Sequence, residues 1–275
     1  MAHKSESLAR HSRKLARLAA SGESGYHDQA TWSLVCGAES EECLAESQHD
    51  EWKEAAANEA VKLVADGMVV GLGTGSTATF FVKALGKRVT HEHLRIVGIP
   101  TSTKTAALAR SLRIPLTTFA AHSQIDLTVD GADEVERGTL YLIKGHGGAL
   151  LREKIVAAAS KRMVVVADET KLVDRLGSLV SVPVETVKFG WQTTQRKLEA
   201  IDAKPSLRSG ANGKIFVTDG GNYIMDCAFG PMEKPKDVAH HLDHVIGAVE
   251  HGLFLGIAKE VIVGGRDGVQ VLKPG

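Results

Sequence analysis

The chain has little of several features that mark specialised classes of protein. Its three cysteines, Cys36, Cys43 and Cys227, are few and widely spaced, which excludes a disulfide framework and indicates a reducing compartment. It has no CxxC pair and no HExxH motif, so we expect no dedicated metal site. No apolar run approaches the ~20 residues that span a bilayer. The formal net charge is zero, so no global field attracts the protein to nucleic acid or to a membrane. We expect a cytoplasmic protein with a small-molecule partner.

The first 50 residues differ in charge from the rest of the 275-residue chain. Residues 1–22 carry five basic residues against Glu6, whereas residues 23–50 carry seven acidic residues and no lysine or arginine. The segment has no regular apolar periodicity, and we predict a disordered N-terminal extension over residues 1–50. Its basic part also suggests an organellar transit peptide, an alternative weakened by Glu6 and by the missing apolar segment. A start codon assigned too far upstream would leave the same pattern.

From Glu51 the chain alternates between helical patterns and short apolar runs. Apolar runs typical of buried strands occupy residues 68–72, 94–99, 125–129 and 163–167. Helical spacing of apolar residues is found at residues 51–65, 76–85, 103–112 and 150–159. This alternation predicts an α/β fold with a doubly wound, mostly parallel sheet that carries helices on both faces.

The pattern changes beyond Leu179. Strand-like pieces at residues 180–184, 215–218 and 223–226 accompany helical stretches at residues 192–200 and 236–246, with glycine- and proline-containing turns between them. We therefore predict a smaller α+β subdomain over about residues 180–247. The catalytic α/β domain then comprises residues 51–179 and about 248–275, to which a strand at residues 260–263 returns.

A glycine loop at residues 71–77 follows the first strand and opens a helix. Its glycines let the backbone approach an anion, and Ser76 and Thr77 add hydroxyls beside free helix N–H groups, which is phosphate-binding chemistry. The alternative is an ordinary glycine turn with a serine N-cap. Residues 100–105 follow the second strand, where Thr101 or Ser102 either caps the next helix or adds a polar wall to the same pocket.

Two acidic residues and a lysine lie where a parallel sheet places its ligands. Asp130 and Asp133 are three residues apart at a strand end, Lys144 begins a glycine loop, and Glu153 follows nine residues later at a helix start. Together they supply an acid, a base and a cation for moving a proton on a sugar carbon. Each residue alone has a simpler interpretation. The simpler interpretations are a turn or helix start for Asp130, Asp133 and Glu134, a solvated Lys144, and a surface Glu153 paired with Arg152 or Lys154.

Three further features carry less information. Lys171 follows the strand at residues 163–167 and can reach the same edge as a cation for phosphate, although the spacing alone slightly favours a surface lysine. We interpret Cys227 as a buried core thiol. The histidines of the C-terminal third form a loose cluster without an accompanying carboxylate or thiolate pattern, and we interpret them as structural or exposed. They are His240, His241, His244 and His251.

Seven motifs in this order resemble ribose-5-phosphate isomerase of the A type. They are GLGTGST (71–77), GIPTSTKT (98–105), DLTVDGADE (126–134), LIKGHGGALLREK (142–154), VVVADETKLV (164–173), FVTDGGNYIMDC (216–227) and VEHGLFLG (249–256). The resemblance covers about residues 51–275, and the extension has no counterpart in it. It implies interconversion of D-ribose 5-phosphate and D-ribulose 5-phosphate in the pentose phosphate pathway, with no metal or organic cofactor, by a homodimer or homotetramer.

The resemblance also implies roles for individual residues. Glu153 matches the catalytic base, Asp130 matches a residue that assists ring opening, and Asp133 and Lys144 complete the catalytic set. The substrate-binding residues implied are Thr74, Gly75, Ser76, Thr77, Asp130, Gly131, Ala132, Asp133, Lys144, Gly145, His146, Gly147 and Lys171.

The chain departs from the family pattern at two positions. His146 stands where many members have glycine, and Gly220 stands where asparagine is common. Two other hypotheses remain open. One is a different phosphosugar isomerase, such as an amino-sugar phosphate isomerase–deaminase. The other is a sugar-phosphate sensor, which needs a DNA-binding module, and residues 1–50 have no helix-turn-helix pattern.

Overall fold

The computed structural model describes residues 41–211 and 213–275, and the prediction for residues 1–40 lies outside them. The chain divides into two units, Met1–Asp50 and Glu51–Gly275. Helix α1 is Glu41–Val61. Residues 41–50, which we assigned to the disordered extension, are therefore helical. Three glutamates and one alanine in this stretch are strong helix formers, a preference that apolar periodicity does not reflect.

Five more helices follow within the described residues. They are α2 Ser76–His91, α3 Thr103–Ser111, α4 Leu150–Ala158, α5 Trp191–Glu199 and α6 Pro235–Asp243. The strands are β1 Val69–Leu72, β2 Val97–Pro100, β3 Leu127–Asp130, β4 Glu134–Glu136, β5 Leu142–Ile143, β6 Met163–Asp168, β7 Leu172–Val173, β8 Val182–Thr186, β9 Lys204–Leu207, β10 Tyr223–Ala228, β11 Ala248–His251, β12 Leu253–Phe254, β13 Ala258–Gly265 and β14 Gly268–Leu272.

The main sheet has six strands in the order β14-β13-β6-β3-β1-β2. All its neighbours pair in parallel except β13 and β14. Alternate residues of β1 face opposite sides. Val70 packs in one apolar cluster with Phe81 of α2, and Val69 packs in another with Val156 of α4. Helices therefore cover both faces, and the predicted doubly wound, mostly parallel sheet is confirmed.

Two smaller sheets complete the fold. Strands β11-β8-β10-β9 form an antiparallel sheet, whose apolar residues share a cluster with α5 and α6. Strands β12-β5-β4-β7 form the third sheet, whose members have only two or three residues. Such short strands are too brief to give a periodic signal. The strand predicted at residues 215–218 is wrong, because only an isolated bridge from Ser209 to Ile215 forms there and Thr218 accepts a turn hydrogen bond from Gly221 N–H.

The three central strands β1, β3 and β6 run in parallel and end at Leu72, Asp130 and Asp168. Their carboxyl ends therefore meet at one edge of the sheet, which is where open α/β sheets bind ligands. No helix among the described residues is long and apolar enough to cross a membrane.

Candidate active site

The glycine loop after β1 folds against the end of β3. Gly73 has no space for a side chain, since a Cβ there would lie 2.2 Å from Oδ1 of Asp130. The backbone N–H of Thr74 donates to that same oxygen at 3.0 Å. Gly75, with φ 122°, is the N-cap of α2, so the serine-cap alternative for this loop is wrong. The N–H groups of the first helical turn have no intrahelical partner and face an anion favourably.

A group of hydroxyls joins this loop to the next strand end. Oγ1 of Thr74 lies 2.7 Å from Oγ1 of Thr101, 2.9 Å from Oγ of Ser102 and 3.0 Å from Oγ1 of Thr105. Ser102 is the N-cap of α3 and accepts a hydrogen bond from the Thr105 N–H at 3.0 Å. The capping interpretation of this segment is thus confirmed, and the cap also binds the glycine loop.

Lys144 is buried between two carboxylates. Its Nζ lies 3.0 Å from Oδ2 of Asp130 and 3.3 Å from Oε2 of Glu153, and no more than 3% of any of these side chains is exposed. The ammonium also donates to the Gly131 carbonyl at 2.7 Å and lies 5.5 Å from the centre of the Phe254 ring. Glu153 belongs to the first turn of α4. It is therefore not a surface residue paired with its neighbours.

Burial dominates the electrostatics of this group. Burial raises the pKa of Glu153 to about 8, with Lys144 opposing the rise and the charges of Asp130 and Asp133 adding to it. The pKa of Asp130 is likewise raised by burial against the pull of Lys144. Burial alone would lower the pKa of Lys144, but the three carboxylates together hold it above its ordinary value. The lysine consequently stays charged, and Glu153 loses its proton near pH 8 rather than in the acidic range.

The loop that follows Lys144 binds Asp133 through its main chain. The backbone N–H of His146 donates to Oδ2 of Asp133 at 3.0 Å. The imidazole of His146 is exposed, and its Nε2 lies 3.1 Å from the Ser181 carbonyl oxygen. Glu134, next to Asp133, begins β4 rather than a helix, so the helix-start alternative is wrong.

Most of the residues singled out in the sequence line one cleft. The lining residues are Thr74, Gly75, Ser76, Thr77, Gly131, Ala132, Asp133, Lys144, Gly145, Gly147, Glu153 and Lys171. Lys171 ends a short 3₁₀ helix, Glu169–Lys171, that Asp168 caps. Two predicted residues do not line the cleft. Asp130 is fully buried behind Lys144, and the His146 side chain turns toward Ser181.

The sequence did not predict two residues, Arg208 and Asp219, whose contacts hold segments at the cleft. Arg208 donates to the carbonyl oxygens of Gly145 at 2.9 Å and His146 at 3.1 Å. Asp219 accepts from the Thr103 N–H at 2.6 Å and from Arg152 at 3.2 Å. Asp219 lies in the motif FVTDGGNYIMDC (216–227). No local pattern marks Arg208, because its partners are distant main-chain carbonyls.

A second ionic cluster also contacts Phe254, through Lys154, whose Nζ lies 5.0 Å from the centre of the ring. Asp243, Glu250 and His251 bring three potential ligand atoms within 4.8 Å of one another. Lys154 donates to Glu250 Oε1 at 2.6 Å, however, and the Leu253 N–H donates to Nδ1 of His251 at 3.2 Å. That donation leaves the imidazole proton on Nε2, which faces Asp243 Oδ1 at 3.0 Å. The group is thus held together by the Lys154–Glu250 ion pair and by the hydrogen bonds of His251 to Asp243 and Leu253.

Comparison with known proteins identifies the family to which the chain belongs. The model of ribose 5-phosphate isomerase A (phosphoriboisomerase A) matches residues 97–268. The chain belongs to the ribose 5-phosphate isomerase A family. Ribose-5-phosphate isomerase A of Gloeobacter violaceus is 55% identical over 222 residues, which cover 81% of this chain and 96% of that protein. Its counterpart in Gluconobacter oxydans is 55% identical over 223 residues, with the same shares covered.

Solved ribose 5-phosphate isomerases share the fold. The enzyme of Methanocaldococcus jannaschii superposes with a TM-score of 0.77 at 41% identity, covering 80% of this chain and 97% of its own. A D-ribose-5-phosphate isomerase in complex with phospho-erythronic acid gives 0.78 at 42% identity, covering 81% and 98%. The family resemblance noted in the sequence is confirmed by these relatives.

Proposed function

We propose that this protein is an aldose–ketose isomerase that interconverts D-ribose 5-phosphate and D-ribulose 5-phosphate. The observation that carries the proposal is the Lys144 ammonium, buried within 3.3 Å of Glu153 at a cleft whose other wall is the glycine loop. Relatives at 55% identity carry the name of this isomerase, and a relative at 42% identity binds phospho-erythronic acid.

Glu153 moves the proton. In the open-chain aldose the C2–H is acidic because C1 is a carbonyl carbon. The Glu153 carboxylate removes that proton, the C–H electron pair forms the C1–C2 double bond, and the carbonyl pair moves to O1 as a cis-enediolate. The proton then returns from Glu153 to C1 while the O2 hydroxyl proton passes to O1, which leaves a ketone at C2. One carboxyl serves both half-reactions because C1 and C2 are adjacent.

Lys144 stabilises the enediolate. Negative charge develops on O1 or O2, and a fixed ammonium in a water-poor cleft stabilises it more than water would. Asp130 holds this cation in place by an ion pair, since its Oδ2 lies 3.0 Å from Nζ and its side chain is buried. The family resemblance implied that Asp130 assists ring opening. Because Asp133 lines the cleft and Asp130 does not, we assign hydroxyl proton transfer during ring opening and isomerisation to Asp133 instead.

The phosphate binds at the start of α2. Thr74, Gly75, Ser76 and Thr77 offer hydroxyls and backbone N–H groups there, and the Lys171 ammonium lines the same cleft. A helix N-terminus with its unpaired N–H groups is a site that phosphate fits. Holding the phosphate at this end fixes the sugar carbons over Glu153 and Lys144.

The wider setting is part of the proposal. We assign the reaction to the non-oxidative branch of the pentose phosphate pathway in the cytoplasm, and the active form to a homodimer or homotetramer. Residues 51–179 and about 248–275 form the catalytic domain in this scheme, with about 180–247 as the smaller subdomain.

The test is turnover of D-ribose 5-phosphate in EDTA by the wild type, Glu153→Gln and Glu59→Gln. Glu59 lies on α1 in a solvent-exposed pair with Lys62, so it controls for the chemical change itself. We expect Glu153→Gln to lose at least ~10²-fold in kcat and Glu59→Gln to match the wild type. An inactive wild type that still binds sugar phosphates would favour a sensor. Ammonia release from glucosamine 6-phosphate would favour an isomerase–deaminase. Near-normal turnover by Glu153→Gln would remove Glu153 as the base.

A further inference from the structure

Arg208 reaches the active-site loop from the smaller antiparallel sheet. Its Nε donates to Oδ2 of Asp226 at 2.8 Å and its Nη2 pairs with Oδ1 of the same residue, so the guanidinium is held in a two-pronged fork. The side chains are 11% and 20% exposed. A planar fork of this kind fixes the direction of the remaining N–H groups. The pair with Asp226 therefore aims Nη1 rather than merely balancing charge.

Nη1 binds two consecutive carbonyl groups of the loop Lys144–Gly148. It donates to Gly145 O at 2.9 Å and to His146 O at 3.1 Å. Gly145 and Gly148 have φ values of 109° and 79°, conformations that glycine adopts without strain. The Gly148 N–H donates to the Gly145 carbonyl at 3.0 Å within the loop, and Arg208 adds a restraint from outside it.

The two hydrogen bonds fix the N–H groups as well as the carbonyls. The described residues contain no cis peptide, and in a trans peptide the C=O and N–H point in opposite directions. With the Gly145 carbonyl on Arg208, the His146 N–H points away and donates to Oδ2 of Asp133 at 3.0 Å. With the His146 carbonyl on Arg208, the Gly147 N–H points away from Arg208, and Gly147 lines the cleft.

Phe216 restrains the other end of the loop. The guanidinium carbon of Arg208 lies 5.9 Å from the centre of the Phe216 ring. A Cβ on Gly148 would lie 2.3 Å from that ring, so the ring packs directly on the loop backbone. Arg208 and Phe216 thus form one surface on which the residues from Gly145 to Gly148 rest.

We propose that Arg208, aimed by Asp226, is a positioning residue for the reaction. It orients the peptide groups after Lys144 so that Asp133 is held and the Gly147 N–H faces the developing oxyanion. The proposal rests on the proposed isomerase activity. Loss of this orientation affects the transition state more than the bound sugar, because the N–H groups matter most when charge develops on the substrate oxygens. The expected signature is a lower kcat at a nearly unchanged KM.

The experiment compares Arg208→Ala, Arg208→Lys and Asp226→Asn with the wild type and with Arg95→Ala. Arg95 also pairs with an aspartate, since its Nε and Nη2 both bind Oδ2 of Asp66 just before β2, at the opposite edge of the main sheet, and 86% of its side chain is exposed. We expect Arg208→Ala to lose about 10- to 100-fold in kcat with KM changed less than about threefold. Arg208→Lys and Asp226→Asn should lose less, and Arg95→Ala should match the wild type.

Chemical rescue separates positioning from a purely structural role. Guanidinium ion at a concentration well below denaturing should restore part of the kcat of Arg208→Ala, and ammonium ion should not, because only the planar ion can bind both carbonyls and Asp226. If Arg208→Ala does not fold, the kcat of Arg208→Lys decides, since it keeps the charge and most of the volume.

The measurements distinguish failure of the proposed role of Arg208 from failure of the proposed isomerase activity. An inactive wild type would remove the isomerase assignment. The role of Arg208 alone would be overturned by a different pattern, in which the wild type is active and Glu153→Gln is inactive. In that pattern the Arg208 variants keep the wild-type kcat per folded molecule or lose activity only in proportion to unfolding.

Discussion

The Nζ atom of Lys144 lies 3.3 Å from Oε2 of Glu153, and only 3% of either side chain is exposed. Little water reaches the pair, so burial, followed by the charge of the partner, sets the ionisation of each group. Burial pushes the pKa of Glu153 up to about 8, and Lys144 restrains it from rising further. A base whose pKa lies near the working pH is both available and strong enough to remove a carbon-bound proton.

The pH dependence of turnover follows from this value. Only ionised Glu153 can accept the C2 proton, so kcat/KM falls as the pH drops below the pKa of about 8 in the free enzyme. Lys144, whose pKa is raised, stays protonated over the same range. Measurement of kcat/KM from about pH 5 to about pH 10 should place the rising limb well above the ordinary glutamate value of 4.5. A limb near 4.5 would contradict the buried-base assignment.

Asp130→Asn should move that limb to lower pH. The negative charge of Asp130 helps to raise the pKa of Glu153, and asparagine keeps the shape while removing the charge. The variant also loses an anchor for Lys144, so kcat should fall at every pH. An unchanged or upward-shifted limb would show that Asp130 does not act on Glu153 through its charge.

Glu153→Gln should make the protein more stable at alkaline pH. A carboxyl whose pKa is raised on folding stabilises the fold at low pH, and this contribution is lost as pH rises through about 8. Glutamine does not titrate, so the variant should exceed the wild type in unfolding free energy above that pH by on the order of a few kcal/mol. Near pH 4.5 the two should agree. Urea unfolding at both pH values measures the difference, and a variant less stable than wild type at high pH would contradict it.

Thr74→Val should weaken substrate binding more than Thr74→Ser. Valine keeps the shape but leaves the hydroxyls of Thr101, Ser102 and Thr105 without their shared partner, whereas serine keeps the oxygen. Each of those hydroxyls keeps another hydrogen bond, so the cost is that of the lost bonds to Thr74, about 0.5–1.5 kcal/mol each, and we expect KM to rise about tenfold in the valine variant. Steady-state kinetics of the pair decide it. Equal KM values would show that the hydroxyl group does not organise the loop.

The main sheet could be predicted because its signals are local. Each buried strand is an apolar run, and the carboxyl ends of β1, β3 and β6 necessarily share an edge. That geometry alone brings the glycine loop, Asp130 and Lys171 together. The distances did not follow from the sequence, because the depth of Asp130 behind Lys144 depends on how three loops pack.

The missed features are those defined by distant partners. Arg208 acts on carbonyls of residues 145 and 146, more than sixty positions earlier in the chain, and main-chain acceptors leave no mark in a sequence. The third sheet escaped notice because strands such as β5, with two residues, exist only through their pairing. The His146 ring could not be assigned a direction either, since its contact with Ser181 depends on the neighbouring segment.

Glu134 is another residue whose role is defined by partners far along the chain. It follows Asp133 in the acidic motif, yet its carboxylate is fully buried and accepts from the N–H groups of Gly177 at 2.6 Å, Leu179 at 2.5 Å and Val180 at 2.8 Å. Its role is therefore to hold the segment before β8.

Glu134→Gln should destabilise the protein without changing the chemistry. The amide nitrogen cannot accept a hydrogen bond, so at least one of these three N–H groups loses its partner on Glu134, and charge-assisted bonds become neutral ones. We expect a loss of about 2–4 kcal/mol in unfolding free energy, with kcat per folded molecule unchanged. Glu136→Gln on the same strand is the matched control, because its carboxylate accepts from the Thr139 hydroxyl and should cost less. If Glu134→Gln instead kept full stability and lost kcat, the residue would belong to the reaction and not to the support of the fold.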